Sequence, residues 1–363
     1  MRRNFSFPLL LAALTIFPVS VPRSAAQEKT VEQVKKNIQV LKGLPASQFS
    51  LVMDYVSASL GVECSHCHVI DTTGWYMEKD DKPAKNKARK MMQMVMDLNT
   101  KTFGGREAVT CYTCHRGAAV PARIMPLPLA AALPAHEDAL RESALPSAEL
   151  LLAKYEAALG GPDAIAAVRT RVSTGVTVDG EGKESPLEIV QAAQGRYLSR
   201  VTVREGVTRA IGYNGTAGWM SSPRGVRELP PEAIDDLKRD ASLFPLARLR
   251  EHAGSMHVTG RDTVNGATAY CVAVPGTSAT ELLYFDAESG LLLRQATMTE
   301  TMIGTIPEQT DFFDYRTVDG VKVPFAVRTA AVDAHDGAMH RFTAVQQNAP
   351  VDESIFAMPA VKK

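Results

Sequence analysis

The stretch Thr110-Cys111-Tyr112-Thr113-Cys114-His115-Arg116-Gly117 repeats a spacing already present at Cys64-Ser65-His66-Cys67-His68. Both segments read C-x-x-C-H, the attachment pattern of c-type haem. Two thiols three positions apart lie on one side of a helical turn, from which they can form thioethers to the two vinyl groups of one porphyrin. The adjacent histidine reaches the iron as proximal ligand, and a second ligand sets the potential. One such pentapeptide alone could be half of a zinc site or a redox dithiol. Here two stand about fifty residues apart, in a chain whose one other cysteine is Cys271. A zinc site would need both C-x-x-C pairs to converge on one metal, and it would leave both histidines unexplained. The pattern therefore implies two haem c groups, one on Cys64, Cys67 and His68, the other on Cys111, Cys114 and His115.

A c-type haem that transfers electrons usually takes methionine as its sixth ligand, which raises the potential. Ser47 to Leu60 has apolar residues at Phe49, Val52, Met53, Val56 and Leu60, one face of a helix, with Ser47 as N-cap and Gly61 as its stop. Met53 lies on that face. Ala84 to Thr102 predicts a second helix, closed by Gly104-Gly105, with Met91, Met92, Met94 and Met96 along it. Methionine is also an adaptable core filler, so at least two of these four serve packing alone, and spacing does not choose among them.

The segment Asn37 to Pro121 resembles the cytochrome c subunit family of photosynthetic reaction centres. The resemblance rests on Phe49-Ser50-Leu51-Val52-Met53, on Ala88-Arg89-Lys90-Met91, on the first C-x-x-C-H, and on Val109 to Gly117 around the second. It implies that each methionine ligand comes from a helix preceding its C-x-x-C-H segment, which places the ligands at Met53 and Met91. Two departures stand out. Members that serve reaction centres typically carry four haems against two motifs here, and no histidine lies between Met91 and Cys111, where the tetrahaem proteins supply a ligand to a distant haem.

At 363 residues the chain exceeds what one core usually organises. Lysine plus arginine equal aspartate plus glutamate at 40 each, so nothing favours nucleic acid as partner. Arg2-Arg3, an apolar run from Phe5 and Ser24-Ala25-Ala26 have the order of a secretory signal, interrupted by Pro8, Pro18 and Pro22 as a membrane anchor would not be. No cysteine follows that run to carry lipid, so a periplasmic protein without a mature transmembrane helix is expected. The expected divisions are a signal peptide at 1–26, a dihaem domain at 27–117, a Pro/Ala-rich linker at 118–147 and a β-rich domain at 148–363. Glu28 to Leu41 reads as an amphipathic helix. Trp75 is read either as packing on a porphyrin or as covering a small core. The run Lys82, Lys85, Lys87, Arg89, Lys90 is read as a solvated face, or else as compensation for haem propionates or docking of an acidic partner.

After a helix at Ala148 to Leu159 and a short helical turn through Ala167, the hydrophobic period becomes two. Strands are predicted at 172–178, 187–193, 196–203, 207–213, 257–261, 269–274, 281–285, 291–297, 310–316, 321–329 and 340–345, with helical spacing at 230–251. This order resembles the periplasmic lipoprotein-carrier (LolA-like) fold, on strings such as Leu150 to Gly161 and Asp319 to Pro324. The resemblance implies a half-barrel whose concave face can hold an acyl chain. His252, His257, His335 and His340 are scattered without ligand spacing, and Cys271 is expected to be a buried free thiol.

The fold class expected is therefore multidomain: a small all-α dihaem cytochrome c domain, then an α+β domain with a long antiparallel sheet and covering helices. The function expected is electron transfer between redox proteins, with the β-domain docking a protein or binding lipid, lipoprotein or quinone. One alternative is a dihaem peroxidase-like oxidoreductase with one open haem. Another is a lipophilic-ligand-binding protein whose haems act as redox sensor.

Overall fold

The computed structural model of the chain describes residues 28–122 and 145–360, apart from 231–232, 245–248, 251, 277–278 and 333–336. The expected signal peptide, most of the expected linker and His335 lie outside the described residues.

The N-terminal part is helical. After α1 (Val31–Val34) and a 3-10 turn at Ala46–Gln48 come α2 (Phe49–Leu60), a 3-10 turn at Cys64–His66, a hairpin of β1 (Val69–Asp71) and β2 (Gly74–Tyr76), α3 (Pro83–Thr102) and α4 (Cys111–His115). The long helix expected over Glu28 to Leu41 is replaced by the single turn of α1. Asn37 and Leu41 take left-handed φ values of 58° and 64°, and the Val31 amide donates to the Leu44 carbonyl. Folding back in this way buries Val31, Leu41 and Leu44 together. A continuous helix would spread them along one axis. Ser47 lies in the 3-10 turn instead of capping α2, and its amide donates to Glu28. The end of α2 is as expected, with Gly61 left-handed at φ 63°. A Cβ there would stand 2.1 Å from the Gly117 carbonyl oxygen, so only glycine allows the segment after α4 to lie against this turn.

The remainder begins with α5 (Ala148–Leu159) and α6 (Pro162–Ala167). It continues into β3 (Thr170–Asp179), β4 (Glu184–Ala192), β5 (Arg196–Arg204), β6 (Val207–Tyr213), β7 (Gly218–Ser222) and β8 (Gly225–Glu228). After α7 (Ile234–Ala241) follow β9 (His257–Val264), β10 (Ala267–Pro275), β11 (Ala279–Asp286), β12 (Leu292–Thr301), β13 (Gly304–Val318), β14 (Val321–Ala330) and β15 (Ala338–Gln347). These thirteen strands form one sheet in the order β8-β7-β6-β5-β4-β3-β15-β14-β13-β12-β11-β10-β9. Each neighbouring pair is antiparallel. The chain thus meanders to one edge, crosses to the other edge through α7, and meanders back until β15 closes on β3. Strands β7 and β8 stand where no strand was expected, and of the helix expected over 230–251 the described residues show α7 and a helical Leu249 and Arg250.

On one end of the sheet, Leu151, Leu152, Tyr155 and Leu159 of α5 pack on Val272, Val274, Leu283, Phe285 and Leu292. Cys271 is buried and free, as expected. The helical part and the sheet also share a core. Ile303 in the tight turn between β12 and β13, and Ile306 at the start of β13, are fully buried among Val31, Leu44, Val52, Tyr55, Met92 and Cys111. At Gly304 (φ 138°) a Cβ would lie 2.9 Å from Cγ2 of Thr110, and Thr305 Oγ1 donates to Glu107 at 2.8 Å. Ile303→Ala is accordingly expected to lower stability by about 3 kcal/mol, the usual cost of truncating a fully buried aliphatic side chain. Urea unfolding followed by circular dichroism checks this, and a midpoint within error of the parent would show that the shared core contributes nothing.

Candidate haem-binding segments

The first motif follows the left-handed cap of α2. Cys64 is exposed, while Cys67 and His68 are half-buried. Nδ1 of His68 lies 3.1 Å from the Met77 carbonyl oxygen. A carbonyl only accepts, so Nδ1 carries the proton and Nε2 keeps its lone pair. That carbonyl is itself fixed by the ammonium of Lys85, which donates at 2.7 Å to both Met77 and Lys79 and pairs with Asp80 at 3.1 Å. Arg89 also meets Asp80, at 2.9 Å. Hydrogen bonds from the Asn37 and Lys85 side chains, with Arg89 beside them, hold the Asp80 carboxyl down at about 2. Burial pushes the His68 imidazolium down, with Lys85, Arg89 and Lys82 adding repulsion against the Met77 hydrogen bond, so the ring stays neutral, as a metal ligand must. Burial also pushes the Cys67 thiol up.

The basic run is thus neither a wholly solvated face nor a free docking patch. Lys85 is buried, Arg89 is tied to Asp80 and to the Asn37 carbonyl, and Lys82 donates to the Ser65 carbonyl inside the first motif. Lys87 and Lys90 alone in that run are exposed.

The second motif is α4 itself. Thr110 caps it: the Thr113 amide donates to Thr110 Oγ1 at 3.3 Å, and the Thr110 amide donates to Thr113 Oγ1 at 3.0 Å. This starts the helix at Cys111 and puts Cys111 and Cys114 one turn apart. Arg116 ends it in the left-handed region at φ 48°, which turns the Ala118 carbonyl back to Nδ1 of His115 at 2.8 Å. The lead-in is held by Asn99 of α3, whose Oδ1 accepts from the Ala108 and Val109 amides at 3.1 Å while its Nδ2 donates to the Val109 carbonyl at 2.8 Å. The Gly117 amide donates to the Ser59 carbonyl at 2.9 Å, fastening the exit of the second motif to the helix before the first. Burial raises the Cys111 thiol.

The four methionines of α3 divide by face. Met92 is buried and Met96 packs against the same core. Met91 and Met94 are 40% and 48% exposed, and with Leu98 they form an apolar stripe at positions i, i+3 and i+7. Met92 is therefore occupied in packing, Met91 and Met94 lie on the open stripe, and Met96, like Met53 of α2, packs against the core while only half-buried. Met53 is half-buried on α2, beside the fully buried Val52. Trp75 is 67% exposed and covers no core among the described residues. Sequence reasoning missed Lys85 and Asn99, which hold the surroundings of the two motifs. Lys85 carried a faint signal in its place five residues after Asp80, and Asn99 carried none.

These residues fit covalent haem. All four motif cysteines are free thiols, both histidines have Nδ1 bonded, and Trp75, Met91, Met94, Leu98 and Tyr112 of the same helical part are exposed apolar side chains. Among the described residues no group of three or more His, Cys, Asp or Glu converges.

The family described as photosynthetic reaction centre cytochrome C subunit matches residues 8–140. The reaction center cytochrome c subunit of Thermochromatium tepidum is 34% identical over 106 residues, covering 28% of this chain and 25% of that protein. Cytochrome c-554 of Chloroflexus aurantiacus is 35% identical over 88 residues, covering 23% of this chain and 20% of that protein. The chain spans about a quarter of the length of the curated relatives it matches. Among solved structures, a DUF1329 family protein from Desulfovibrio piger aligns with a TM-score of 0.42 at 13% identity, covering 58% of this chain and 96% of that one. A LolA superfamily protein from Nitrosomonas europaea aligns at 0.39 and 12%, covering 59% and 98%. At those scores the likeness is loose, and the sheet's architecture is taken from its own strand order. The part of the chain that carries both C-x-x-C-H segments is thus similar to the photosynthetic reaction centre cytochrome c subunits, and the thirteen-stranded sheet follows beyond the reach of that match.

Proposed function

We propose that the chain is an exported c-type cytochrome that passes electrons between redox proteins through two covalent haems. Cys64 and Cys67 would hold the first together with His68 and Met53, and Cys111 and Cys114 the second together with His115 and Met91. Each iron, cycling between ferric and ferrous states, would supply the one-electron chemistry. The observation that carries this reading is the paired preparation of the two histidines. In both motifs a backbone carbonyl, of Met77 or of Ala118, holds Nδ1, so that Nε2 would be the atom to ligate.

The chain's own residues do the rest. Lys85 and Asp80 fix the Met77 carbonyl, the reciprocal Thr110 and Thr113 bonds set the turn that carries the second pair of thiols, and Ile303 and Ile306 seal the core behind Cys111. Among the described residues no helix is long and apolar enough to cross a membrane. Export to the periplasm is part of the proposal and rests on the signal-like N-terminus. The sheet would dock a partner or bind a ligand.

Met91→Ala and Met92→Ala separate the ligand from the core filler. Met91→Ala is expected to abolish the weak far-red methionine-to-ferric-iron band of one haem and to lower its potential. Met92→Ala is expected to leave the spectrum intact while costing about 2–5 kcal/mol of stability. If Met94→Ala removes the band and Met91→Ala does not, the ligand assignment moves one turn along α3. If neither does, the second haem is not methionine-ligated, and the relay reading fails at that site.

A further inference from the structure

The two motif histidines are prepared alike but not equally. Each is half-buried, and each gives its Nδ1 proton to one backbone carbonyl. With the same His/Met pair proposed at both irons, neither the type of axial ligand nor the burial of the histidines separates the two potentials. What remains is the hydrogen bonding of the ligands and the charge around them. Both differ between the motifs.

At the second motif the Ala118 carbonyl oxygen lies 2.8 Å from His115 Nδ1, and among the described residues no cation donates to it. Arg116, the next residue, is exposed, so water takes up most of its charge. At the first motif the Met77 carbonyl oxygen lies 3.1 Å from His68 Nδ1 and also accepts from the Lys85 ammonium at 2.7 Å. Two donors on one oxygen compete, and the charged donor makes the shorter and stronger bond, which accounts for the longer one to His68. A weaker bond at Nδ1 makes Nε2 the poorer electron donor, and a poorer donor stabilises ferric iron less.

Charge acts in the same sense. Lys85 is buried, and Lys82 and Arg89 are half-buried. Lys82 donates to the Ser65 carbonyl between the two thiols, while Lys85 and Arg89 share Asp80 at 3.1 and 2.9 Å. Three cations thus face one carboxylate. Glu63 and Asp81, the other acids beside these groups in the chain, are exposed. Ferric haem carries one positive charge more than ferrous haem, so unbalanced positive surroundings favour the ferrous form.

We propose that Lys85, acting through the Met77 carbonyl as a positioning residue, makes the first haem the higher-potential one of the pair. A chain holding one electron then keeps it at the haem of Cys64, Cys67 and His68. The inference rests on the two-haem reading above and gives that relay a direction, downhill from the second haem to the first. The step is one electron leaving a ferrous second iron for a ferric first iron, with no bond made or broken.

The test is spectroelectrochemical titration of the full mature chain beside its Lys85→Met and Asp80→Asn variants. The parent is expected to show two one-electron waves. The variant with Cys64→Ala and Cys67→Ala, which keeps only the second haem, is expected to show the lower wave alone. Lys85→Met is expected to lower the upper wave and leave the lower one in place, by about tenfold in the ferrous-to-ferric equilibrium, or about 59 mV for one electron. Asp80→Asn removes the balancing carboxylate and keeps Lys85, so it is expected to raise the upper wave. The opposite signs separate this role from a structural one, because mere loosening admits water to the iron and lowers the potential in both variants. Asp80→Asn also keeps the test decisive if Lys85→Met does not mature. An upper wave belonging to the second haem, shifts of one sign in both variants, or an upper wave unmoved by Asp80→Asn would each overturn the inference and leave the two-haem relay standing. Fewer than two covalent haems in the parent would overturn the relay and this inference with it.

Discussion

A chain in which Cys64 and Cys67 are both replaced by alanine is expected to mature with one covalent haem where the parent carries two, and to keep its fold. Cys64 is exposed and Cys67 only half-buried, so removing their sulfurs opens no cavity in the core. The reverse experiment should behave differently. Cys111 packs in the core shared by Val31, Met92, Ile303 and Ile306. Cys111→Ala with Cys114→Ala should therefore lose one haem and also loosen the joint between the helical part and the sheet. Pyridine haemochrome assay gives the haem count, and urea unfolding gives the stability. Equal destabilisation by the two double substitutions would contradict the asymmetry in burial. Two haems remaining in either variant would contradict the assignment of the thiols.

The second large effect is expected at Asp311, in the middle of the sheet. Its side chain is fully buried, and its cross-strand neighbours at one level are Arg294 on β12 and Arg328 on β14. Arg294 Nε donates to Oδ1 at 2.6 Å, Arg328 Nη2 donates to Oδ2 at 2.5 Å, and Gln309 adds a bond at 2.9 Å. Burial pushes the Asp311 carboxyl up, but the hydrogen bonds and charges of the two arginines outweigh it and hold it below the usual carboxylate range. Asp311→Ala would leave two guanidiniums facing each other without their anion. Breaking such a buried set costs about 3–5 kcal/mol. The lower end applies here, because Arg328 is 43% exposed and water takes up part of its charge. The contribution has a pH dependence of fixed sign. With a native value below the unfolded one, it is fully present above the unfolded value near 4 and is lost as pH falls through the native value. The parent should therefore lose stability below about pH 4 more steeply than the variant. Parallel acid titrations of the two would contradict this.

Much of this was legible because short-range physics decided it. Gly61 and the spacing from Phe49 to Leu60 mark α2, Pro83 opens α3, and the alternation in Leu187 to Val203 and Val321 to Thr329 marks strands. The two C-x-x-C-H segments are local motifs, the first opening on a 3-10 turn and the second on a single turn of helix. What escaped depends on distant partners. The helix expected at Glu28 to Leu41 has the right period, but burying Val31 with Leu41 and Leu44 requires left-handed turns at Asn37 and Leu41 that periodicity does not encode. Lys85 looked like one more solvated lysine until Asp80 and the Met77 carbonyl came to surround it. Ile303 and Ile306 fall between the strands expected at 291–297 and 310–316, yet they complete a core begun at Val31. The choice among the methionines narrowed once α3 had an inside and an outside, which removed the buried Met92. Arg171 carries no signal in the sequence, and only the assembled sheet, with Gln191 and Gln347 on either side, shows that two of its donors are unanswered.

The most direct measurement is the haem content and visible spectrum of the chain produced in a host with cytochrome c maturation, oxidised and then reduced. The account predicts two covalent haems per chain, low-spin when reduced, with the far-red methionine band when oxidised. One haem, or a high-spin component that binds carbon monoxide readily, would contradict the double His/Met assignment and bring an open-haem oxidoreductase to the front.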